Sequence, residues 1–213
     1  MARKPVIGLV GGIGSGKTTV AKLLAERGGL IVAADSIAHE ALRDPRVRAK
    51  ILARFGPDVI GPDGEVDRRK LGSIVFADEG ARRDLESWVH PWVRRRAEEL
   101  IAAADLDPQV GFIVLDAAVM LEAGWRDVYD QLIFVEVPRP IQLQRLQARG
   151  WTAEEIAARE QAQWPLTEKA RWANAVIHNG GTLEETGRQI DELLRSWNLI
   201  KHPTQDGTIA ERQ

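Results

Sequence analysis

The sequence predicts an α/β fold built on a five-stranded parallel sheet and carrying two helical insertions. Three observations lead there. Five short, nearly continuous apolar runs read as strands buried on both faces, stretches with helical periodicity separate them, and the gaps between them are uneven. With 213 residues the chain has room for one core with additions, and not for two full domains.

The first run, Pro5 to Val10, and the second, Leu30 to Ala33, flank a helical segment from Lys17 to about Arg27. That is a strand–helix–strand unit. The third run, Gly111 to Leu115, follows after about 77 residues, far more than the single crossover helix that a parallel pair requires. A helical sub-domain is expected in the interval, with helices over Ser36 to Leu42, Pro45 to Phe55, Arg68 to Phe76 and Glu79 to Ala104. Pro45 suits a first turn, whereas Pro91 should kink or divide the last helix near His90. Gln131 to Val137 and Ala173 to Ile177 are the fourth and fifth strands. The roughly 35 residues between them predict helices over Pro140 to Arg149, Thr152 to Gln163 and Leu166 to Trp172, the second opened by the capping sequence Thr152-Ala153-Glu154-Glu155. A closing helix from Leu183 to about Trp197 leads into a polar tail, assigned to 199–213.

Composition narrows the function. Apolar residues make up 44% and charged residues 28%, which excludes a disordered chain. A net charge of -2 supplies no general basic field, so neither nucleic acid nor a membrane is expected as a partner. The absence of cysteine excludes a disulfide framework, a thiolate nucleophile and cysteine-ligated zinc or iron–sulfur chemistry. Met1 to Lys4 has the basic start of a signal peptide, but glycines break the apolar stretch after Val10, and no segment approaches the roughly 18 apolar residues of a membrane helix. A cytoplasmic protein, monomeric, is the expectation. Seven tryptophans against four phenylalanines have no explanation in composition; packing is the default for each, with stacking on a purine as the alternative.

The motif that carries chemistry is Gly11-Gly12-Ile13-Gly14-Ser15-Gly16-Lys17-Thr18, which fits G-x-x-x-x-G-K-[ST] and lies between the first strand and the first helix. Glycines let the backbone curl so that successive amides point at the phosphates, and the helix amino terminus adds partial positive charge. Lys17 is expected on the β- and γ-phosphates of a nucleoside triphosphate, and the Thr18 hydroxyl on Mg²⁺. The chain has no Asn-Lys-x-Asp guanine-reading motif. One nucleotide core with two insertions favours a small-molecule kinase, one insertion holding the acceptor and the other closing over ATP. The expected partition is a single domain over 1–198, with a nucleotide core of 1–35, 111–138 and 173–198, an acceptor-binding insertion of 36–110 and a lid of 139–172.

Asp35 follows the second strand, at the sheet edge where ligands bind. It is read as the group that takes or orients the acceptor hydroxyl proton, with helix capping as the alternative. Asp116 ends the third strand, where a carboxylate can hold Mg²⁺ or simply terminate the strand. Arg139, Arg145, Arg149, Arg159, Lys169 and Arg171 fall in or beside the second insertion, from which at least one arginine is expected to stabilise the transferring phosphoryl group. Arg94-Arg95-Arg96 reads as a solvated helix face, with an anionic acceptor as the alternative. His39-Glu40 begins like a zinc-protease motif, but Arg43 stands where the second histidine would, so no metal site is assigned there.

Taken together these residues resemble the dephospho-CoA kinase family from Val6 to about Leu194. The P-loop carries the resemblance with Ala34-Asp35-Ser36-Ile37-Ala38-His39, Asp63 to Leu71 leading to Val75-Phe76, and His90-Pro91. Leu115-Asp116, Gln142 to Arg145, Arg159 with Gln163, and Val176 to Gly181 complete it. The resemblance implies transfer from MgATP to the ribose 3′-hydroxyl of dephospho-coenzyme A, the last step of coenzyme A synthesis. On that basis Lys17, Asp35, Arg145 and Arg149 are expected to be catalytic. Gly12, Ile13, Gly14, Ser15, Gly16, Lys17, Thr18, Thr19, Arg145, Asn179 and Gly180 are expected on ATP, and Asp35, Arg68, His90, Asp116 and Arg159 on the acceptor. The chain departs from the family pattern at Ala33, where an aspartate is usual, and at Gly150 and Asn174. It departs again in Asp116 to Glu122, which lacks the usual proline and phenylalanine. Two rivals stand beside this reading: a kinase for another small acceptor such as a nucleoside monophosphate, and a non-catalytic ATP-binding regulator whose helical insertion docks a partner.

Overall fold

In the computed structural model, which describes residues 3–201, five strands form one parallel sheet in the order β2-β3-β1-β4-β5. They are β1 (Val6–Val10), β2 (Gly29–Ala33), β3 (Phe112–Asp116), β4 (Gln131–Glu136) and β5 (Ala175–His178). The period-2 alternation of a strand sends successive side chains to opposite faces, and both faces of β1 are covered. Ile7 and Leu9 pack with Val20 and Leu24 of α1 (Lys17–Ala25) and Ile190 and Leu194 of α9 (Leu183–Ser196). Val6 and Val10 belong to the other cluster, with Val32, Ile113, Leu115 and the buried residues of the first insertion. Register fixes what meets at the carboxyl edge, because Asp116 is the partner of both Leu9 and Ala33.

The first insertion comprises α2 (Ala34–Ala41), α3 (Pro45–Phe55), a 3-10 turn at Pro57–Val59, α4 (Arg68–Ala77) and α5 (Glu79–Asp105). Asp44, Asp67 and Asp78 each cap the following helix by accepting two backbone N–H bonds, which is why three helices start cleanly in so short a span. The division expected at His90 does not occur: α5 runs unbroken past Pro91. Proline costs one intrahelical bond, while Val89, Val93, Ala97 and Ile101, buried on both sides of the proline, hold the two halves to the same core.

The second insertion comprises α6 (Arg139–Gln147), α7 (Ala153–Gln161) and α8 (Leu166–Trp172), with the expected capping box at Thr152 and Glu155. A second capping box, Thr182 with Glu185, opens α9. β5 starts two residues later than predicted because Asn174 is used as a bracket: its N–H donates to Leu132 O and its Oδ1 accepts from Leu132 N, each at 2.8 Å. The tail also starts later than 199, since Leu199 and Ile200 pack against the α9 side of the core; 202–213, including His202, lie outside the described residues. No helix among the described residues is long and apolar enough to cross a membrane.

The tryptophans are packing and positioning residues. Trp125 is buried, Trp88 meets Phe55 edge-on, and Trp92 Nε1 donates to Asp44 at 3.0 Å. Trp197 covers the α9 core, Trp164 and Trp172 lie against Arg126, and Trp151 lies against Arg159.

Candidate active site

The loop between β1 and α1 is shaped from behind. Gly14 and Gly16 have φ of 69° and 90°, the left-handed region that favours glycine, and a Cβ on Gly16 would lie 2.0 Å from Asn179 Nδ2. Asn179, just past β5 and 3% exposed, donates to Ser15 O at 2.8 Å and accepts from Thr186 Oγ1 at 3.2 Å. Arg145 of α6 donates to the same Ser15 carbonyl at 3.3 Å and to Asn179 O at 2.9 Å. Gln142, one turn earlier, donates to Ile13 O at 2.7 Å. The loop carbonyls are thus held by side chains from α6 and the β5 edge, the arrangement that leaves amides to serve an anion. Lys17 Nζ donates to Gly11 O at 3.0 Å and Gly12 O at 3.1 Å.

A cleft of about 480 Å³ opens over this loop. Lys17, Thr18 and Thr19 line one side, Asp35 and Asp116 line it at the sheet edge, Phe76 contributes from α4, and the lid contributes Arg149, Trp151 and Arg159. Burial raises the pKa of Asp116 above the ordinary carboxylate range, aided by Asp35 and opposed by Lys17. Burial likewise lowers the pKa of Lys17, with the Asp116 carboxylate the strongest opposing influence. Each therefore makes the charged form of the other less costly. α2 begins at Ala34, not Ser36, and its N-cap Ala33 offers no side-chain bond. Asp35 consequently lies in the first turn and is not the cap, which leaves its carboxylate to the cleft.

The lid cations separate into distinct kinds. Arg159 is stacked between two rings, 4.8 Å from the Phe76 centroid and 4.3 Å from that of Trp151, and among the described residues it has no carboxylate within ion-pair distance, nor has Arg149. Burial holds the Arg159 pKa below the usual guanidinium value. Arg139 is paired with Glu160, and Arg171 is exposed and paired with Glu168. Lys169 is no lid-surface cation at all: it is fully buried against Glu122 at 2.8 Å. Arg94, Arg95 and Arg96, expected as a solvated helix face, are ion-paired on the surface, with Glu98, Asp127, Glu99 and Glu40 as partners.

Two of the expected acceptor residues are not brought to the cleft. Arg68 is exposed at the first residue of α4, and His90 is half-buried within α5; neither lines the cavity. Desolvation lowers the pKa of His90, against the pull of Glu86 and Glu122. Gly180 lines a neighbouring cavity of about 360 Å³ with Pro138 and His178, continuous in sequence with Asn179. Sequence reasoning missed Glu122, Gln142 and Thr186 as supporting groups, and only Gln142, spaced one turn before Arg145, carried a local signal.

For a metal, no group of three or more His, Cys, Asp or Glu side chains among the described residues could hold an ion by itself. Thr18, Asp35 and Asp116 are oxygen donors on one cleft, a set that suits Mg²⁺ completed by phosphate oxygens and water and not a cation needing an all-protein cage.

The family model described as dephospho-CoA kinase matches residues 5–185. The chain belongs to the dephospho-CoA kinase family. Dephospho-CoA kinase of Geobacillus kaustophilus is 42% identical over 199 residues, covering 92% of this chain and 98% of that protein. That of Geobacter sulfurreducens is 42% identical over 190 residues, covering 88% and 96%. The crystal structure of TT1252 from Thermus thermophilus superposes with a TM-score of 0.76 at 34% identity, covering 92% of this chain and 98% of that one. Dephospho-CoA kinase from Campylobacter jejuni, at 23% identity and a TM-score of 0.60 over 92% and 98%, shares the fold. In this dephospho-CoA kinase family member Ala33 is the register partner of Asp116, so the alanine leaves Asp116 without a second strand-borne carboxylate beside it.

Proposed function

We infer that the protein transfers the γ-phosphoryl group of ATP to the ribose 3′-hydroxyl of dephospho-coenzyme A, giving coenzyme A and ADP. The observation that carries this reading is a single cleft shared by Lys17 and Thr18 on one side, Asp35 at the sheet edge and Arg149 and Arg159 from the lid. A phosphoryl transfer needs positioned phosphates, a group for the attacking hydroxyl proton and cations for the charge that develops. Those are the groups that converge here.

Lys17 and the loop amides hold the phosphates, with Arg145 and Asn179 bracing the loop from behind. Asp35 accepts or orients the proton of the 3′-hydroxyl as its oxygen approaches the γ-phosphorus in line with the departing ADP oxygen. Arg149 and Arg159 stabilise charge on the transferring group and exclude water when the lid is closed. Mg²⁺, when bound with ATP, offsets phosphate charge; Thr18, with Asp116, would hold it. Asp116 also favours the charged form of Lys17. ADP release from MgATP, measured with dephospho-coenzyme A and with a panel of nucleoside monophosphates and other small alcohols, tests the reading. Release with dephospho-coenzyme A alone is expected. Preference for another acceptor, or release with none, overturns it in favour of one rival or the other.

A further inference from the structure

Lys169 and Glu122 play no part in the chemistry just described, yet they make the most deeply buried ion pair among the described residues. Lys169 lies on α8 and is 0% exposed, and the Glu122 side chain is 15% exposed. Burying such a pair is weak as a source of stability, because apolar residues of similar volume commonly do as well. Its connections say what else it does. Lys169 Nζ donates to Ala118 O at 2.8 Å and Gln163 Oε1 at 3.1 Å besides meeting Glu122 at 2.8 Å. Glu122 Oε1 also accepts from Trp164 N at 2.9 Å.

Two segments far apart in sequence, the loop that follows Asp116 and the stretch that carries the lid back to the sheet, are joined by three of these bonds, while the fourth, from Lys169 to Gln163, lies within the second segment. Ala118 and Gln163, one from each segment, line the cleft itself. The loop has no strand or helix of its own from Ala117 to Asp130; turn hydrogen bonds such as Ala123 N to Val119 O and Trp125 N to Met120 O, each at 2.9 Å, and the buried side chains of Met120, Leu121 and Trp125 shape it from within, and the ion pair ties it to the lid side. The two charges also reach Lys17 with opposite sign, Lys169 more strongly than Glu122.

We propose that Glu122 and Lys169 are a positioning pair, anchoring the base of the lid to the loop after Asp116 and thereby setting the separation of the cleft walls required for transfer. The proposal rests on the reading of the cleft as the transfer site. It leaves α7 as the movable part of the lid, between α6, which is bonded to the P-loop, and α8 as the fixed base.

The test compares Glu122→Gln, Lys169→Met, the neutral double variant and Glu122→Asp. Either of the first two leaves one buried charge without its partner and should lower the melting temperature. The double variant should regain most of that stability while kcat stays roughly 10- to 100-fold below the parent enzyme, the cost of a misplaced reacting group. Glu122→Asp keeps both charges but shortens the arm that reaches Lys169 and Trp164 together, so it should fold normally and lose kcat in the same direction. ATP affinity, measured by equilibrium binding, should be unchanged in the double variant and in Glu122→Asp. Hydrogen exchange in 117–130 and 163–172 should quicken together in both. A double variant that recovers stability and kcat together, or exchange that is unchanged in those two segments, overturns the proposal. Failure of the parent enzyme to phosphorylate dephospho-coenzyme A would instead overturn the function, leaving the exchange result to judge the anchor.

Discussion

The two walls of the cleft are organised on different physical terms. On the ATP side, side chains bond to backbone: Asn179, Arg145 and Gln142 hold the carbonyls of Ser15 and Ile13, and Asn179 is itself buried. On the facing wall, Arg159 is held by the faces of Phe76 and Trp151. Stacking orients a guanidinium without consuming its N–H groups, whereas a hydrogen-bonded brace consumes them. The first wall is built to present backbone amides, and the second to present an unspent cation. A lesion in the first should therefore disturb ATP use and stability together, and a lesion in the second should slow transfer while leaving ATP binding and stability intact.

Asp35 lies between the walls, and its loss should have the largest effect. Asp35→Asn is expected to lower kcat by about 10²–10⁴, the range for a general base, with ATP binding intact by direct titration. Arg159→Leu keeps an apolar filler between the rings but removes the charge. The kcat/KM for dephospho-coenzyme A should fall by roughly 10- to 100-fold, the equivalent of about 1.5–3 kcal/mol for a hydrogen bond to a charged group, while KM for ATP and the melting temperature stay put. Asn179→Ala should reverse that signature. Leaving a buried group unpaired costs about 1–3 kcal/mol, read as a lower melting temperature and a higher KM for ATP with the acceptor KM unaffected. If Arg159→Leu and Asn179→Ala move the same parameters, the contrast between the walls is wrong.

The smallest expected effect lies outside both walls. Burial depresses the pKa of His90 below its unfolded value near 6.5, so the folded state binds fewer protons than the unfolded state as pH drops toward that value. The stabilising contribution is complete above the unfolded pKa and is lost as pH falls through the folded one. His90→Gln should therefore flatten the decline in melting temperature between about pH 7 and pH 5, with little change in kcat at neutral pH.

What could be read in the sequence was what depends on near neighbours. The P-loop is one contiguous octet, Asp35 and Asp116 follow apolar strands by position alone, and Thr152 to Glu155 announces its own helix start. What could not be read depends on partners distant in the chain. Lys169 looks like one more lid cation until the fold brings Glu122, 47 positions away (169 − 122), against it. Arg145 was expected to face the transferring group, whereas its guanidinium bonds the underside of the loop. The tryptophan excess resolves the same way, since Trp164 and Trp172 meet Arg126 and Trp92 meets Asp44 only in three dimensions. Pro91 was half legible for the opposite reason: a local rule about one bond predicts a kink or a break, and burial on both sides of it keeps the helix unbroken.

The strand order has one more implication. The chain departs for the first insertion from β2 and returns on β3, and departs for the second from β4 and returns on β5; in both cases the two strands are neighbours. Because both pairs are parallel, each module leaves at the carboxyl edge of the sheet and re-enters at the amino edge one strand over, so its ends are set apart by a strand length of roughly 16 Å as well as one strand spacing of about 4.8 Å, and the two crossovers lie on opposite flanks of β1. A replacement module has to span the sheet from one edge to the other and also renew the contacts that tie the present one to the P-loop and to the loop after Asp116. The sheet and its P-loop are in that sense a chassis, and the stretches 34–111 and 137–174 are two crossovers that meet over it where Arg159 stacks on Phe76, so a change in one is felt by the other.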